Sequence, residues 1–237
     1  MDDQTKIKND FVKKVIDNCC GIDLNNPPSI IKGEAKVFTA EFIIANKDNL
    51  NGYGTIVYNF KDEVCTIVPW PVFGKRKLVP GTGIEGGTVE DVFTMKREGD
   101  IQFATNNAVK RSYITGWYSD PATASSSKNT NNNDFIYTHE ANYHPDGGQI
   151  FFSRNNEPFV MLLAKATDDV KIEDFKAFYF SGEVGLQILP SVWHQPAFSC
   201  KDNVVFDNRQ GKVHACVGVD FFEEFGGYIK VPLCQSK

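Results

Sequence analysis

Residues 178–198 read FYFSGEVGLQILPSVWHQPAF, and residues 139–152 read HEANYHPDGGQIFF. Each stretch joins aromatic and β-branched residues to a Gly/Pro turn and carries histidine. Short runs of this kind, bounded by turn residues, are strand–turn–strand units. Two such units that each aim a histidine inward can meet inside the mouth of a β-barrel.

Working outward, the chain supplies the strands such a barrel needs. AKVFTAEFIIA, YGTIVYNF, EVCTIVPW, IQFAT and VKRSYITGWY precede the two stretches. FIYTH leads into the first of them, and QIFFS, PFVMLLAK, KAFYFSG, VGLQIL, NVVF, KVHACVGVDFF and YIKVPL lie within, between or after them. VKIEDFK predicts a helical turn between two strands. Many short strands at near-regular spacing point to a sandwich or barrel and away from alternating βαβ units. Ile7, Phe11, Val12, Val15 and Ile16 share one helical face, with Gly21 as its stop and NNPPS as the break that follows. The expected organisation is therefore an N-terminal helical appendage over 1–34 and one β-barrel domain over 35–237. SDPATASSSKNTNNND (119–134) reads as a flexible Asn/Ser-rich surface loop inside that domain.

Composition narrows the function classes. Thirty acidic against 25 basic residues give a formal charge of −5, so no basic footprint for nucleic acid is expected. No apolar run reaches the roughly 20 residues of a membrane span, and MDDQTKIKND lacks a signal-peptide core. A cytoplasmic protein without nucleic-acid or membrane partners is the expectation. Six cysteines (19, 20, 65, 200, 216 and 234) form no C-x-x-C and read as reduced, mostly buried thiols.

Two local patterns mislead. GTGIEGG (81–87) satisfies G-x-G-x-x-G, but the TVEDVFTMKREGD that follows makes at best a short helix ending at Gly99. A nucleotide fingerprint needs a strand before and a longer helix after, so a glycine-built loop or hairpin is expected. KRK (75–77) and Lys110-Arg111 read as solvated charge. His139-Glu140 opens H-E-x-x-H, yet the next histidine is at 144, one position too far, and Pro145 and two glycines exclude the helix that motif requires.

The two quoted stretches resemble the paired motifs of the cupin barrel, in which one segment carries H-x-H and an acid and the other carries Gly, a Pro turn and His. On that template the first gives Asn142, His144 and Gln149, and the second gives Gly185, Pro190 and His194. Neutral amides stand at two of the usual ligand positions, and amide oxygens are weak ligands. A metal, if any, is expected to be a weakly bound divalent ion on His144, His194, Gln149 and Asn142. His214, alone in KVHACVGV, reads as a structural residue.

The sequence also resembles one family. Ureidoglycolate lyases carry H-P-x-G-x-Q-x-F and then G-x-x-G … V-W-H-x-P. Here these read His144-Pro145-Asp146-Gly147-Gly148-Gln149-Ile150-Phe151, and Gly182-Glu183-Val184-Gly185 through Val192-Trp193-His194-Gln195-Pro196. The resemblance covers about 135–225 well and 50–118 loosely. The chain departs from it where Asn142-Tyr143 replace Glu-Arg, and where Ser112 stands at the family's Arg, with Arg111 one place away.

The resemblance implies a mainly β, cupin-like double-stranded β-helix or jelly-roll barrel with an added N-terminal helix. It also implies a homodimer and cleavage of (S)-ureidoglycolate to urea and glyoxylate, a step of allantoin and purine breakdown. In that reading His144 and His194 move protons, with Glu140 as a partner for either. Gln149 is a neutral donor to the substrate. Lys110, Arg111 or Arg154 holds its carboxylate, and Trp193 packs beside His194 to keep the site dry. The alternative is a catalytically silent or re-purposed cupin that binds a small polar carboxylate or sugar.

Overall fold

The computed structural model describes residues 22–68 and 86–234. The N-terminal helix expected from residues 7–16, Cys19, Cys20, KRK and most of GTGIEGG lie outside the described residues.

Among the described residues the chain is mainly β. In order the strands are β1 (Lys36–Thr39), β2 (Glu41–Ile44), β3 (Gly54–Val57), β4 (Thr88–Glu98), β5 (Ile101–Asn106) and β6 (Arg111–Trp117). Next come β7 (Phe135–Thr138), β8 (Glu140–Tyr143), β9 (Gln149–Ser153), β10 (Phe159–Ala164), β11 (Lys176–Phe180) and β12 (Gly185–Ile188). The last are β13 (Trp193–His194), β14 (Phe198–Ser199), β15 (Asn203–Gly211), β16 (Val217–Asp220) and β17 (Gly227–Pro232).

They build two sheets. One runs β1-β17-β7-β6-β5-β4-β15-β9-β12-β3 and the other β16-β8-β13-β10-β11-β2, with β14 beside β10. This two-sheet architecture is consistent with the cupin-type fold expected. Strand period explains how the layers meet. On β10, Phe159, Met161 and Leu163 enter one apolar cluster while Val160, Leu162 and Ala164 enter another, so both faces are buried. In the first of these clusters Phe159 stacks on Phe180 at 4.8 Å and meets Phe206 edge-on at 5.0 Å.

Three segments differ from the sequence reading. TVEDVFTMKRE is the eleven-residue strand β4, not a short helix, and Gly99 (φ +59°) turns it into β5. A Cβ at Gly99 would stand 2.3 Å from the Lys128 carbonyl, so the turn requires glycine there. VDFF does not continue a strand: β16 ends at Asp220, and Phe221–Phe225 form a short helix, α1. Asp220 caps it by accepting from the Phe222 and Glu223 amides, and Gly226 (φ +76°) ends it. EVCTIVPW contributes an isolated bridge between Ile67 and Gly147 among its described residues. The helical turn in VKIEDFK is present as a 3-10 turn over Ile172–Asp174.

Residues before β1 are tied to the sheets. Ile22 donates to the Asp220 carboxylate, Ser29 Oγ and the Ile30 amide donate to Asp120, and Ile22, Leu24 and Ile30 pack beside Trp117 and Tyr228. In 119–134, Arg97 donates to Asn133 Oδ1 and lies over the Tyr118 ring, while Thr130 donates to the buried Asp100.

Candidate active site

The site residues come from both sheets and meet at one end of the space between them. β13 pairs with β8 so that His194 lies opposite Asn142, and His144 follows directly after β8. Gln149 opens β9 in the other sheet and faces Gln210 of β15. Period two on β15 turns Asn208 and Gln210 inward and leaves Asp207 and Arg209 to pair outside with Arg154 and Glu90. Asn106 closes β5 on the same side.

These amides form a chain whose polarity begins on the backbone. Asn106 Oδ1 accepts from the Ala108 amide, so its Nδ2 donates, to Gln210 Oε1 at 2.8 Å. The same oxygen accepts from Gln149 Nε2 and Asn208 Nδ2, both at 3.1 Å. Gln149 Nε2 also donates to Asn208 Oδ1 at 2.8 Å. Gln149 is thereby left with its oxygen toward the histidines, 3.2 Å from His144 Nε2 and 3.1 Å from His194 Nε2. It presents an acceptor here, not the donor expected from sequence.

The two histidines differ in charge state. His194 is buried and its Nδ1 lies 2.8 Å from the Val192 carbonyl. Burial and then the neighbouring His144 push its pKa down to about 3. Around His144, burial opposes the charged form, but Cys216, the Ala215 carbonyl and Asp146 outweigh it and raise the pKa to about 9. His144 Nδ1 lies 2.9 Å from the Ala215 oxygen and 3.3 Å from Cys216 Sγ. A neutral and a protonated imidazole thus stand with ring centroids 5.0 Å apart, a pairing suited to base and acid work.

The pocket takes in His144, His194, Gln149, Asn142 and Glu140 from the sequence candidates. Glu140 is buried, with Oε2 3.9 Å from His139 Nε2. The cations are placed elsewhere. Arg154 is half-exposed and bound to Asp207, Lys110 is exposed in the turn after β5, and Arg111 begins β6. None of the three lines the pocket. Trp193 is a core residue, donating from Nε1 to the Thr167 carbonyl and meeting Tyr143 edge-on at 4.6 Å. Of the two departures at 142–143, then, Asn142 faces the pocket and Tyr143 packs in the core.

Sequence reading missed Asn106, Asn208, Gln210, Cys216 and the place of His214. His214 is not merely structural: with Cys216 it lines the pocket, and His144, His214 and Cys216 each bring one ligand atom within 4.8 Å of the others. Such a group could hold a metal ion. The cupin-type set is a poorer match. Two of its four members are neutral amides, weak ligands for such an ion, although the Gln149 oxygen stands 3.1–3.2 Å from both Nε2 atoms.

Comparison with known proteins gives one answer. The family model described as "Ureidoglycolate lyase" matches residues 97–225, more than half of the chain. "Ureidoglycolate lyase" of Salmonella enteritidis PT4 (strain P125109) is 36% identical over 64 residues, 27% of this chain and 40% of that protein. That of Salmonella newport (strain SL254) matches to the same extent. The matched stretch spans 40% of the length of these curated relatives.

Proposed function

The chain belongs to the ureidoglycolate lyase family, and from that membership we propose that it releases urea and glyoxylate from (S)-ureidoglycolate. The observation that carries the reading is the pair of buried imidazoles, oppositely perturbed, whose Nε2 atoms meet at one Gln149 oxygen.

His194 is the base. With its Nδ1 proton on the Val192 carbonyl, Nε2 carries the lone pair; the Gln149 oxygen 3.1 Å away is also an acceptor, so no hydrogen bond joins the two and Nε2 is left to take the substrate's hydroxyl proton. The electrons of that O–H bond form the aldehyde C=O as the C–N bond breaks. His144, protonated, gives its Nε2 proton to the departing urea nitrogen. Gln149 Oε1 accepts a urea N–H and selects for the ureido end. Glu140, on the same wall, is the third proton-transfer candidate. No step runs through a metal at the cupin-type positions.

Residues 35–237 are proposed as the catalytic unit, cytoplasmic and homodimeric. Among the described residues β1 and β3 end one sheet and β16 and β2 the other, and strand edges of this kind are a route to a dimer. Among the described residues no helix is long and apolar enough to cross a membrane.

The test is glyoxylate and urea release from (S)-ureidoglycolate by wild type, His194→Ala and His144→Ala, against the substrate's spontaneous breakdown. Each variant should lose on the order of 10²-fold or more in turnover. Saturable binding without product would instead favour the ligand-binding alternative, for which Asn142 at the pocket wall is the one supporting departure.

A further inference from the structure

We propose that His144 (through Nδ1), His214 (through Nε2) and Cys216 (through Sγ) form a site for a divalent transition metal of zinc type, opening on the pocket. Cys216 Sγ is 3.3 Å from His144 Nδ1 and 3.8 Å from His214 Nε2. Zinc bonds of about 2.3 Å to sulfur and 2.0–2.1 Å to nitrogen, at tetrahedral angles, place S and N ligands about 3.6 Å apart. The two spacings bracket that value without an ion to impose it.

The chemistry of the set is stronger than that of the cupin-type positions. One thiolate and two imidazoles suit zinc and its neighbours, whereas neutral amides do not. Three protein ligands with the fourth position on a pocket is the open arrangement of metal sites that bind substrate. An ion on Nδ1 displaces the proton held there between the Ala215 oxygen and Cys216 Sγ, so metal-loaded His144 is a neutral imidazole that donates a hydrogen bond from Nε2 and is not the imidazolium acid of the metal-free reading.

A second observation points the same way and rests on the proposed lyase reading. The substrate is a carboxylate, yet the pocket is lined by no lysine or arginine among the described residues and includes Glu140. A divalent ion on one thiolate supplies net positive charge where Lys110, Arg111 and Arg154 do not reach.

Coordination carries a local requirement. His214 Nδ1 lies 2.6 Å from Gln210 Nε2, and an ion on Nε2 moves the ring proton to Nδ1. The partly exposed His214 ring must then shift off the Gln210 amide nitrogen, because the Gln210 oxygen is held by Asn106, Gln149 and Asn208.

The experiment titrates full-length, chelator-treated protein with Co2+ and competes it with Zn2+, without substrate. One Co2+ per chain is expected, with the intense near-ultraviolet band of a thiolate-to-metal transition. Cys216→Ser should remove that band, and His214→Ala, at a partly exposed position, should weaken binding by at least about tenfold. His194→Ala should bind as wild type does, and Cys65→Ser controls for loss of another buried thiol. The proposal is overturned if Cys216→Ser keeps the band, if His194→Ala abolishes binding, or if well-folded wild type takes up neither ion. Because no turnover is read, a failed lyase assay and a failed metal site are separate results.

Discussion

Along β15 the inward positions run Val204, Phe206, Asn208, Gln210, so one strand serves an apolar interior at its start and a polar one at its end. Phe206 sits edge-on to Phe151 and Phe159, whereas Gln210 sits among Asn106, Gln149 and Asn208. The apolar half asks for volume and shape, and a side chain of similar size can meet that request. The polar half asks for direction as well. Each amide's orientation follows from the one before it, starting at the Ala108 amide, and burying amides costs free energy unless every partner is in place. The polar half makes no better core. What it does is aim one oxygen at two histidines.

The largest effect is expected in the apolar half. Phe159→Ala should cost about 3–5 kcal/mol in denaturant unfolding, whereas Phe159→Leu should cost under about 1.5 kcal/mol. In the polar half Gln210→Met keeps the volume yet leaves the Asn106, Gln149 and Asn208 amide groups short of their shared acceptor. It should cost about 1–3 kcal/mol and also lower turnover, because the Gln149 oxygen loses its fixed aim. A Gln210→Met protein as stable and active as wild type would erase the distinction between the two halves.

A pH series sharpens the same contrast. His139 is fully buried against Trp117, ring centroids 5.1 Å apart, and desolvation pushes its pKa down to about 3. The unfolded chain takes a proton at this residue below about pH 6.5, while the folded chain resists until about pH 3. Stability therefore falls as pH drops through that window, by about 1.4 kcal/mol per pH unit for this one group. His139→Phe should make the urea midpoint between pH 7 and pH 5 less steeply pH-dependent. An unchanged slope would show that the ring is not held neutral.

Much of this was legible from residues alone. β-branched and aromatic runs marked most strands, and the two Gly/Pro-and-His stretches brought His144, His194 and Gln149 to one point. β4 was not legible: in TVEDVFTMKRE the two buried side chains are Phe93 and Met95, amid charges that read as a short helix. α1 did leave a signal, Asp220 three residues before Glu223, the spacing of a capping box. The amide chain was hidden because Asn and Gln usually mark surface or turn. Only the alternation of Asn208 and Gln210, continuing that of Val204 and Phe206, disclosed that they point inward. His214 and Cys216 are two residues apart, and their approach to His144 depends on a turn after β15 with His214 at φ +46°.

The smallest effect is expected one residue away from that polar row. Asp207 faces outward between Phe206 and Asn208, and Arg154 meets it there at 2.7 Å, half-exposed. Sequence alone made Arg154 a candidate holder of the substrate carboxylate. Its register makes it a surface ion-pair residue, since β9 pairs with β15 with Ser153 opposite Phe206 and Phe152 opposite Asp207. Exposed pairs are worth about 0–1 kcal/mol. Arg154→Ala should therefore shift stability by less than that and leave the KM for the proposed substrate, ureidoglycolate, unchanged. A KM raised tenfold or more would return Arg154 to the site, and would mean that the outer face of β9 and β15 takes part in binding while the inner face only aims the catalytic groups.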